Sequence, residues 1–151
     1  MNKSAFSVIG KAISVLHFQK QKNVAAMMSK YGLGSVSYGF LSYLKDRDGI
    51  TQRELCSILY IDDALASRAM GTLVKKGFVE RLRSDIDARS YELYLTTKGK
   101  EVLPELLKMY EDWWKEITAG ISKEKIDILC SVLKEISERA IGQELFPIKK
   151  E

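Results

Sequence analysis

Hydrophobic residues recur at three- and four-residue steps along most of the chain, and this spacing predicts amphipathic helices. A first helix is predicted for about residues 4–31, where the pattern ends before Gly32 and Gly34. Ser35 is a suitable N-cap for a second helix, which ends near the polar turn at residues 46–49. The pattern therefore predicts two helices at the start of the chain.

Two shorter helices, joined by a brief connection, are predicted next. Thr51 can cap a third helix that runs to Leu59. Asp62 or Asp63 can begin a fourth helix, which ends at Gly77. Two short helices with a brief turn between them are typical of a helix-turn-helix motif.

The pattern then changes to alternation with period two, at residues 79–83 and again at residues 91–95. Turn-forming residues lie between these segments, at 84–87, so a β-hairpin is predicted. A hairpin directly after a helix-turn-helix motif is typical of a winged helix-turn-helix. The predicted fold class is therefore mainly α-helical, with a small β-hairpin wing over a lobe at about residues 35–97.

Two more helices are predicted after the hairpin. Thr96 or Thr97 caps a fifth helix that reaches about Ala119, and Ser122 opens a sixth after the break at Gly120. No repeat, low-complexity tract or linker divides the sequence. Residues 1–151 are therefore predicted to form a single domain.

The fourth helix has two distinct faces. Its apolar arc, predicted to face the core, comprises Ala66, Ala69, Met70 and Leu73. Its opposite arc is small, polar and basic, and comprises Ala64, Ser67, Arg68, Gly71, Thr72 and Lys75. Such a face fits the major groove of DNA, where hydroxyl and cationic side chains reach base edges and phosphates. The alternative, a solvated surface helix, stays open on this pattern alone.

Positive charge also gathers around the predicted hairpin, at Arg81, Arg83 and Arg89. Arg89 is placed to enter the adjacent minor groove, where narrow A·T stretches deepen the negative potential. Asp87 is predicted to accept hydrogen bonds from Arg89 and hold its guanidinium in place. An ordinary exposed Asp–Arg pair explains the same residues equally well.

Charge and cysteine content narrow the function classes. The net charge of +4 over 151 residues favours an anionic partner. One histidine and two cysteines cannot supply the four ligands of a structural zinc site, so no metal or other cofactor is predicted. No phosphate loop, catalytic carboxylate pair or nucleophile–His pair is recognisable, so an enzyme is not predicted either. No apolar run reaches 18 residues and the N-terminus is unlike a signal peptide, so a cytoplasmic protein without a membrane partner is expected.

Five short motifs then occur in a characteristic order: Gly-Ile-Thr-Gln-Arg-Glu-Leu at 49–55, Ser-Arg at 67–68, Leu-Val-Lys-Lys-Gly-Phe-Val-Glu-Arg at 73–81, Asp-Ala-Arg at 87–89 and Leu-Thr-Thr-Lys-Gly at 95–99. Together they resemble the MarR family of winged helix-turn-helix transcriptional regulators. The chain departs from the family pattern at three positions. Asp63 stands where a small or basic residue is usual, and Gly71 lacks the side chain usual on the reading face. Ala88 replaces the first of two adjacent basic residues in the wing.

The resemblance implies a regulator, interpreted here as a repressor, that binds double-stranded DNA. The predicted DNA contacts are Gln52, Arg53, Ala64, Ser67, Arg68, Thr72, Lys75, Arg83, Asp87 and Arg89. It also implies a homodimer built from helices at about 4–31 and 98–146, with two recognition helices roughly 34–36 Å apart on an inverted-repeat operator.

The apolar content of the terminal helices independently supports a dimer. The residues expected at its interface are Phe6, Ile9, Ile13, Leu129, Leu133, Ile136, Ile141, Leu145 and Phe146. A frayed end is the alternative explanation for the last of these.

Relatives often respond to small aromatic or phenolic effectors, and aromatic side chains here are candidates for such a site. They are His17, Tyr38, Tyr43, Tyr110, Trp113 and Trp114. Plain packing is the competing interpretation. Cys56 and Cys130 are both predicted to be small buried hydrophobes, which disfavours redox sensing. An effector-independent architectural DNA binder or a protein-contact winged helix remains the alternative function.

Overall fold

The computed structural model describes residues 4–47, 49–86 and 89–142. Within these residues the chain forms six helices and three strands: α1 Ala5–Ser29, α2 Ser35–Leu44, β1 Ile50–Thr51, α3 Gln52–Leu59, α4 Asp63–Lys75, β2 Val79–Arg83, β3 Tyr91–Leu95, α5 Thr97–Ile117 and α6 Lys123–Ile141. The predicted fold class, mainly α-helical with a β-hairpin wing, is confirmed. None of the described helices is long and apolar enough to cross a membrane.

Short polar residues fix where the helices of the central lobe begin. The Thr51 hydroxyl accepts a hydrogen bond from the Glu54 backbone N–H while the Glu54 carboxylate accepts one from the Thr51 N–H, which is a complete capping box. Asp62 caps α4 by accepting from two backbone N–H groups. At α2, Gly34 occupies the cap position and Ser35 is the first helical residue, so the helix begins one position earlier than predicted.

The hairpin belongs to a three-stranded antiparallel sheet of order β1-β3-β2. The register pairs Val79 with Leu95 in the hairpin, and Ile50 with Leu93 on the other side of β3. The sequence predicted only the hairpin and no strand at residues 50–51. A two-residue strand is too short to produce a period-two signal, so β1 could not be recognised by that pattern.

One apolar core joins the end of α1 to α2, α3, α4, the sheet and the first half of α5. Its members with essentially no exposed surface include Met28, Phe40, Leu41, Leu44, Leu55, Met70, Leu73 and Leu106. The described residues up to Trp113 form one compact unit, and those from Trp114 onward form a second. The core lies in the first unit.

The second unit contains α6, and none of the residues of this helix is buried. Cys130 is exposed there, so the prediction that it is a buried hydrophobe is wrong, whereas Cys56 in α3 is buried as predicted. The apolar stripe of α6 that includes Leu129 and Leu133 is itself exposed within the described residues, so a position beside this stripe does not bury Cys130. Leu145 and Phe146 lie outside the described residues.

Candidate nucleic-acid interface

The residues predicted to face outward on α4 are the ones that the structure places toward solvent. Ala66, Met70 and Leu73 are fully buried against the core, and Ala69 is half-buried beside them. On the opposite side Ala64, Ser67, Arg68, Gly71 and Lys75 are exposed and Thr72 is half-buried. The 3.6-residue period therefore places every residue of the predicted recognition face on the solvent side of α4.

Asp63 is the acidic residue that the family pattern does not favour at the start of α4. The structure places it beside Cys56 of α3. Burial raises the pKa of the Cys56 thiol, and the Asp63 carboxylate raises that pKa further through its charge and a hydrogen bond. Asp63 thus interacts with α3, and the thiol stays protonated rather than becoming a reactive thiolate.

Gln52 connects three elements at the edge of this face. Its Nε2 donates to the Ser67 hydroxyl of α4 over 3.0 Å, and its Oε1 accepts from the Arg81 guanidinium of β2 over 2.9 Å. The sequence predicted Gln52 as a DNA contact and left Arg81 out of the contact set. The structure joins the two side chains within the protein, a contact that the spacing of residues 52, 67 and 81 could not reveal. The DNA contact of Gln52 stays a prediction.

Arg53 and Arg81 lie together around a cleft of about 230 Å³ between the start of α3 and the sheet. Its remaining walls are formed by Thr51, Gln52, Ser90, Tyr91 and Leu93. Two guanidinium groups at one cleft favour an anion there, such as a phosphate group.

The base of the wing is held by a hydrogen-bonded group that the sequence analysis did not single out. The Ser84 hydroxyl and the Tyr94 phenol each donate to the Glu92 carboxylate over 2.7 Å. The Ile86 backbone N–H in turn donates to Ser84 Oγ over 3.2 Å. These contacts fix the start of the loop after β2 and leave Arg83, at the strand end, exposed.

Arg89 is exposed in the turn before β3, where the Ser84 N–H donates to the Ser90 carbonyl. Asp87 lies outside the described residues, so the predicted Asp87–Arg89 pair stays a prediction.

The aromatic residues predicted to bind an effector are only partly brought together. The rings of Tyr38 and Tyr110 are in contact, with centroids 4.9 Å apart, and burial raises the pKa of Tyr38. Tyr43 pairs instead with Arg47, which donates to its phenol oxygen over 2.7 Å. His17 is exposed on α1, while Trp113 and Trp114 are each half-buried.

A small cavity of about 200 Å³ lies beside the first half of α5, and Lys45, which directly follows α2, also lines it. Leu95, Leu103 and Leu107 give it an apolar lining, and Pro104 completes the wall. Lys45 and Lys100 add positive charge. Its composition suits a small acid with an apolar body.

Comparisons with known proteins agree with this architecture. The sequence matches the MarR family over residues 31–90. The HTH-type transcriptional regulator BilQ of Clostridium symbiosum is 26% identical over 111 residues, which cover 74% of this chain and 77% of BilQ. A MarR transcriptional regulator from Methanosarcina mazei Go1, known from its crystal structure, is 33% identical in sequence to this chain. The alignment covers 89% of this chain and 97% of the Methanosarcina chain, with a TM-score of 0.83.

A MarR family regulator from Listeria monocytogenes, crystallised with a 26mer DNA, has the same fold, with a TM-score of 0.81 and 24% identity over 85% of this chain and 86% of its own. The likeness to the Methanosarcina protein covers 89% of this chain and therefore extends well beyond residues 31–90, over which the family matches. The chain therefore belongs to the MarR family and is a DNA-binding transcriptional regulator, not an enzyme.

Proposed function

We propose that the chain is a repressor that binds an inverted-repeat operator as a homodimer, with α4 in the major groove and the wing in the adjacent minor groove. The observation that most supports this proposal is a set of cations without acidic partners. No described carboxylate forms an ion pair with Arg53, Arg68, Arg81 or Arg83. Unneutralised arginines beside a small, polar helix face suit phosphates and base edges.

The Listeria relative supports the same assignment, because a MarR family protein of this fold was crystallised with DNA. The proposed role for Arg68 is to bind guanine or a phosphate, and those for Lys75 and Arg53 are to bind phosphates. As a regulator that acts on DNA, the protein is proposed to work in the cytoplasm.

The proposal of a homodimer rests on apolar surface that the single chain leaves uncovered. On α1, Phe6 is 82% exposed and Ile13 is 47% exposed. On α6, Ile128, Leu133 and Ile136 are exposed as well. Apolar surface of this extent marks an interaction site in a soluble protein. A second copy that covers both helices would give the twofold symmetry that an inverted repeat requires.

Arg68→Ala tests the recognition helix. Because Arg68 is exposed on the outer face of α4, its loss should weaken operator binding by about 1–3 kcal/mol, or roughly 5- to 150-fold. Fluorescence anisotropy against the operator and a scrambled duplex, at two salt concentrations, measures both affinity and salt dependence. Lys134→Ala, which removes the same charge from the polar face of α6, is the control and should bind as the wild type does. Equal affinities for Arg68→Ala and Lys134→Ala would contradict the proposed interface.

Release by a small aromatic or phenolic acid completes the proposal. The cavity of about 200 Å³ beside Lys45 and Lys100 supports it, since its apolar lining suits a single ring and its lysines suit a carboxylate. An effector that binds there would contact α5 and also Lys45, which directly follows α2 in the DNA-binding lobe. The alternative, an architectural or protein-contact module, predicts no such ligand.

A thermal-shift screen with benzoate-type and phenolic acids measures this binding. A ligand at tenfold its Kd stabilises the native state by about 1.4 kcal/mol, which raises Tm by roughly 3–6 °C for a chain of this length. Lys45→Ala should lose most of the shift, whereas Lys108→Ala, an exposed lysine on α5 outside the cavity, should keep it. A shift that is the same in both variants would exclude this cavity as the site.

A further inference from the structure

Gln52 is held firmly at the junction of the sheet and the recognition helix. It is the first residue of α3 and follows Thr51, which is the cap of that helix and also pairs with Glu92 in the sheet. Its backbone is therefore fixed on both sides. Its side chain is fixed by two hydrogen bonds, one to Arg81 and one to Ser67.

The direction of these hydrogen bonds follows from the chemistry of arginine. A guanidinium group has N–H donors and no acceptor, so the atom of Gln52 that faces Arg81 is the carbonyl oxygen, Oε1. The amide nitrogen must then face Ser67, and because it is a donor, the Ser67 oxygen must accept. Arg81 thus determines the orientation of the Gln52 amide, and the amide determines the role of the Ser67 oxygen.

The hydroxyl hydrogen of Ser67 consequently stays available. Among the described residues it donates to no acceptor, and Ser67 is exposed on the outer face of α4. Thr72 on the same helix differs, because its hydroxyl donates to the Arg68 carbonyl over 3.0 Å. Ser67 therefore keeps its hydroxyl hydrogen and one lone pair toward solvent, whereas Thr72 keeps only lone pairs.

We propose that Gln52 is a positioning residue that presents the Ser67 hydroxyl to the operator as a hydrogen-bond donor, and so selects against cytosine at the base that Ser67 faces. This inference rests on the proposed placement of α4 in the major groove. Guanine, adenine and thymine each present an acceptor atom in that groove, whereas cytosine presents only its N4 amino donor. Because the Ser67 oxygen already accepts from Gln52, its O–H is strengthened as a donor and its remaining lone pair is weakened as an acceptor. The hydroxyl therefore favours these three bases over cytosine.

Replacing Gln52 by glutamate reverses the arrangement. A carboxylate is an acceptor only, so the Ser67 hydroxyl turns its hydrogen toward residue 52 and its lone pairs toward the groove. Arg81 can pair with the new carboxylate, and an acidic residue is favourable in the first turn of α3, so folding is preserved. The added negative charge lowers affinity for every DNA sequence, but the ratio between two bases at one position is unaffected by that common loss.

The test uses the full-length protein and an operator obtained by selection from random duplexes. Affinities are then measured for all four bases at each operator position. Ser67→Ala identifies the position that Ser67 faces, since its base preference should disappear there. At that position the wild type should disfavour cytosine, by at most the roughly two- to twelvefold that one hydrogen bond contributes. In Gln52→Glu this preference against cytosine should vanish or reverse, because the N4 amino group of cytosine then meets the lone pairs of the Ser67 oxygen.

Two further variants serve as controls. Gln52→Met, which keeps the length of the side chain without its polar atoms, should abolish the preference without reversing it, since the Ser67 hydroxyl then rotates freely. Arg68→Ala should weaken binding but keep the preference against cytosine. A wild type that selects no sequence would overturn both this inference and the proposed function. If the wild type selects an operator, two results would overturn the inference alone. One is the same preference against cytosine in Gln52→Glu, and the other is a loss of affinity in Ser67→Ala that is equal for all four bases at every position.

Discussion

Gly99→Ala is expected to destabilise the protein strongly. Gly99 is in the first turn of α5, and a Cβ built there would lie 2.2 Å from the backbone carbonyl oxygen of Phe78 and 3.2 Å from a methyl of Leu95. Backbone cannot move aside as a side-chain end can, so α5 or the turn before β2 must shift. Overpacking of this kind costs about 1–3 kcal/mol and occasionally more, and a backbone clash favours the upper end of that range. Urea unfolding of the two proteins measures the difference.

A glycine with open space around the position of its Cβ provides the control. Gly71 lies in α4 with no atom within 4 Å of the position of its Cβ. Gly71→Ala should therefore gain helix propensity, worth up to about 1 kcal/mol, and raise the midpoint of unfolding. If Gly99→Ala were as stable as Gly71→Ala, the close approach of α5 to the Phe78 carbonyl would be refuted.

Leu133→Asp is expected to separate the proposed dimer and to weaken operator binding by roughly 100-fold or more. Leu133 is in the apolar face of α6, and a carboxylate buried there costs several kcal/mol in each copy. A monomer presents one α4 to one half-site and loses the gain of about 10²–10⁴ that two linked contacts provide. Sedimentation equilibrium reports the assembly, and anisotropy reports the affinity.

Ser131→Asp matches this change on the same helix. Ser131 is exposed on the polar side of α6, so the same new charge should leave both the dimer and the operator affinity unchanged. A wild type that sediments as a monomer at micromolar concentration would refute the dimer. A Leu133→Asp variant that remains dimeric would exclude α6 from its interface.

The regular parts of the fold could be predicted because they repeat. The outward and inward faces of α4 follow from a 3.6-residue period over 13 residues, and the hairpin follows from two alternating segments of five. The strand β1 escaped prediction because two residues cannot establish a period. Cys130 was misplaced because a stripe of apolar residues indicates a face suited to burial, without showing that the described residues of the same chain cover it.

The finer features of the interface depend on contacts between residues that are distant in sequence. Gln52 is 15 residues from Ser67 and 29 residues from Arg81 in the sequence, and no local pattern connects them. The same holds for Ser84 and Glu92, whose pairing depends on the register of β2 and β3. Residue type suggested a DNA contact for Gln52, but it could not suggest the hydrogen bonds to Ser67 and Arg81 that the structure adds.

Hydroxyl-radical footprinting of the selected operator tests the central claim most directly. Two copies of α4 related by a twofold axis should protect two tracts whose centres are about 34–36 Å, or 10–10.5 base pairs, apart. The sequence within the two tracts should form an inverted repeat, and Arg68→Ala should weaken both equally because symmetry makes them equivalent. A single protected tract, two tracts in direct repeat, or failure to enrich any sequence would contradict the account.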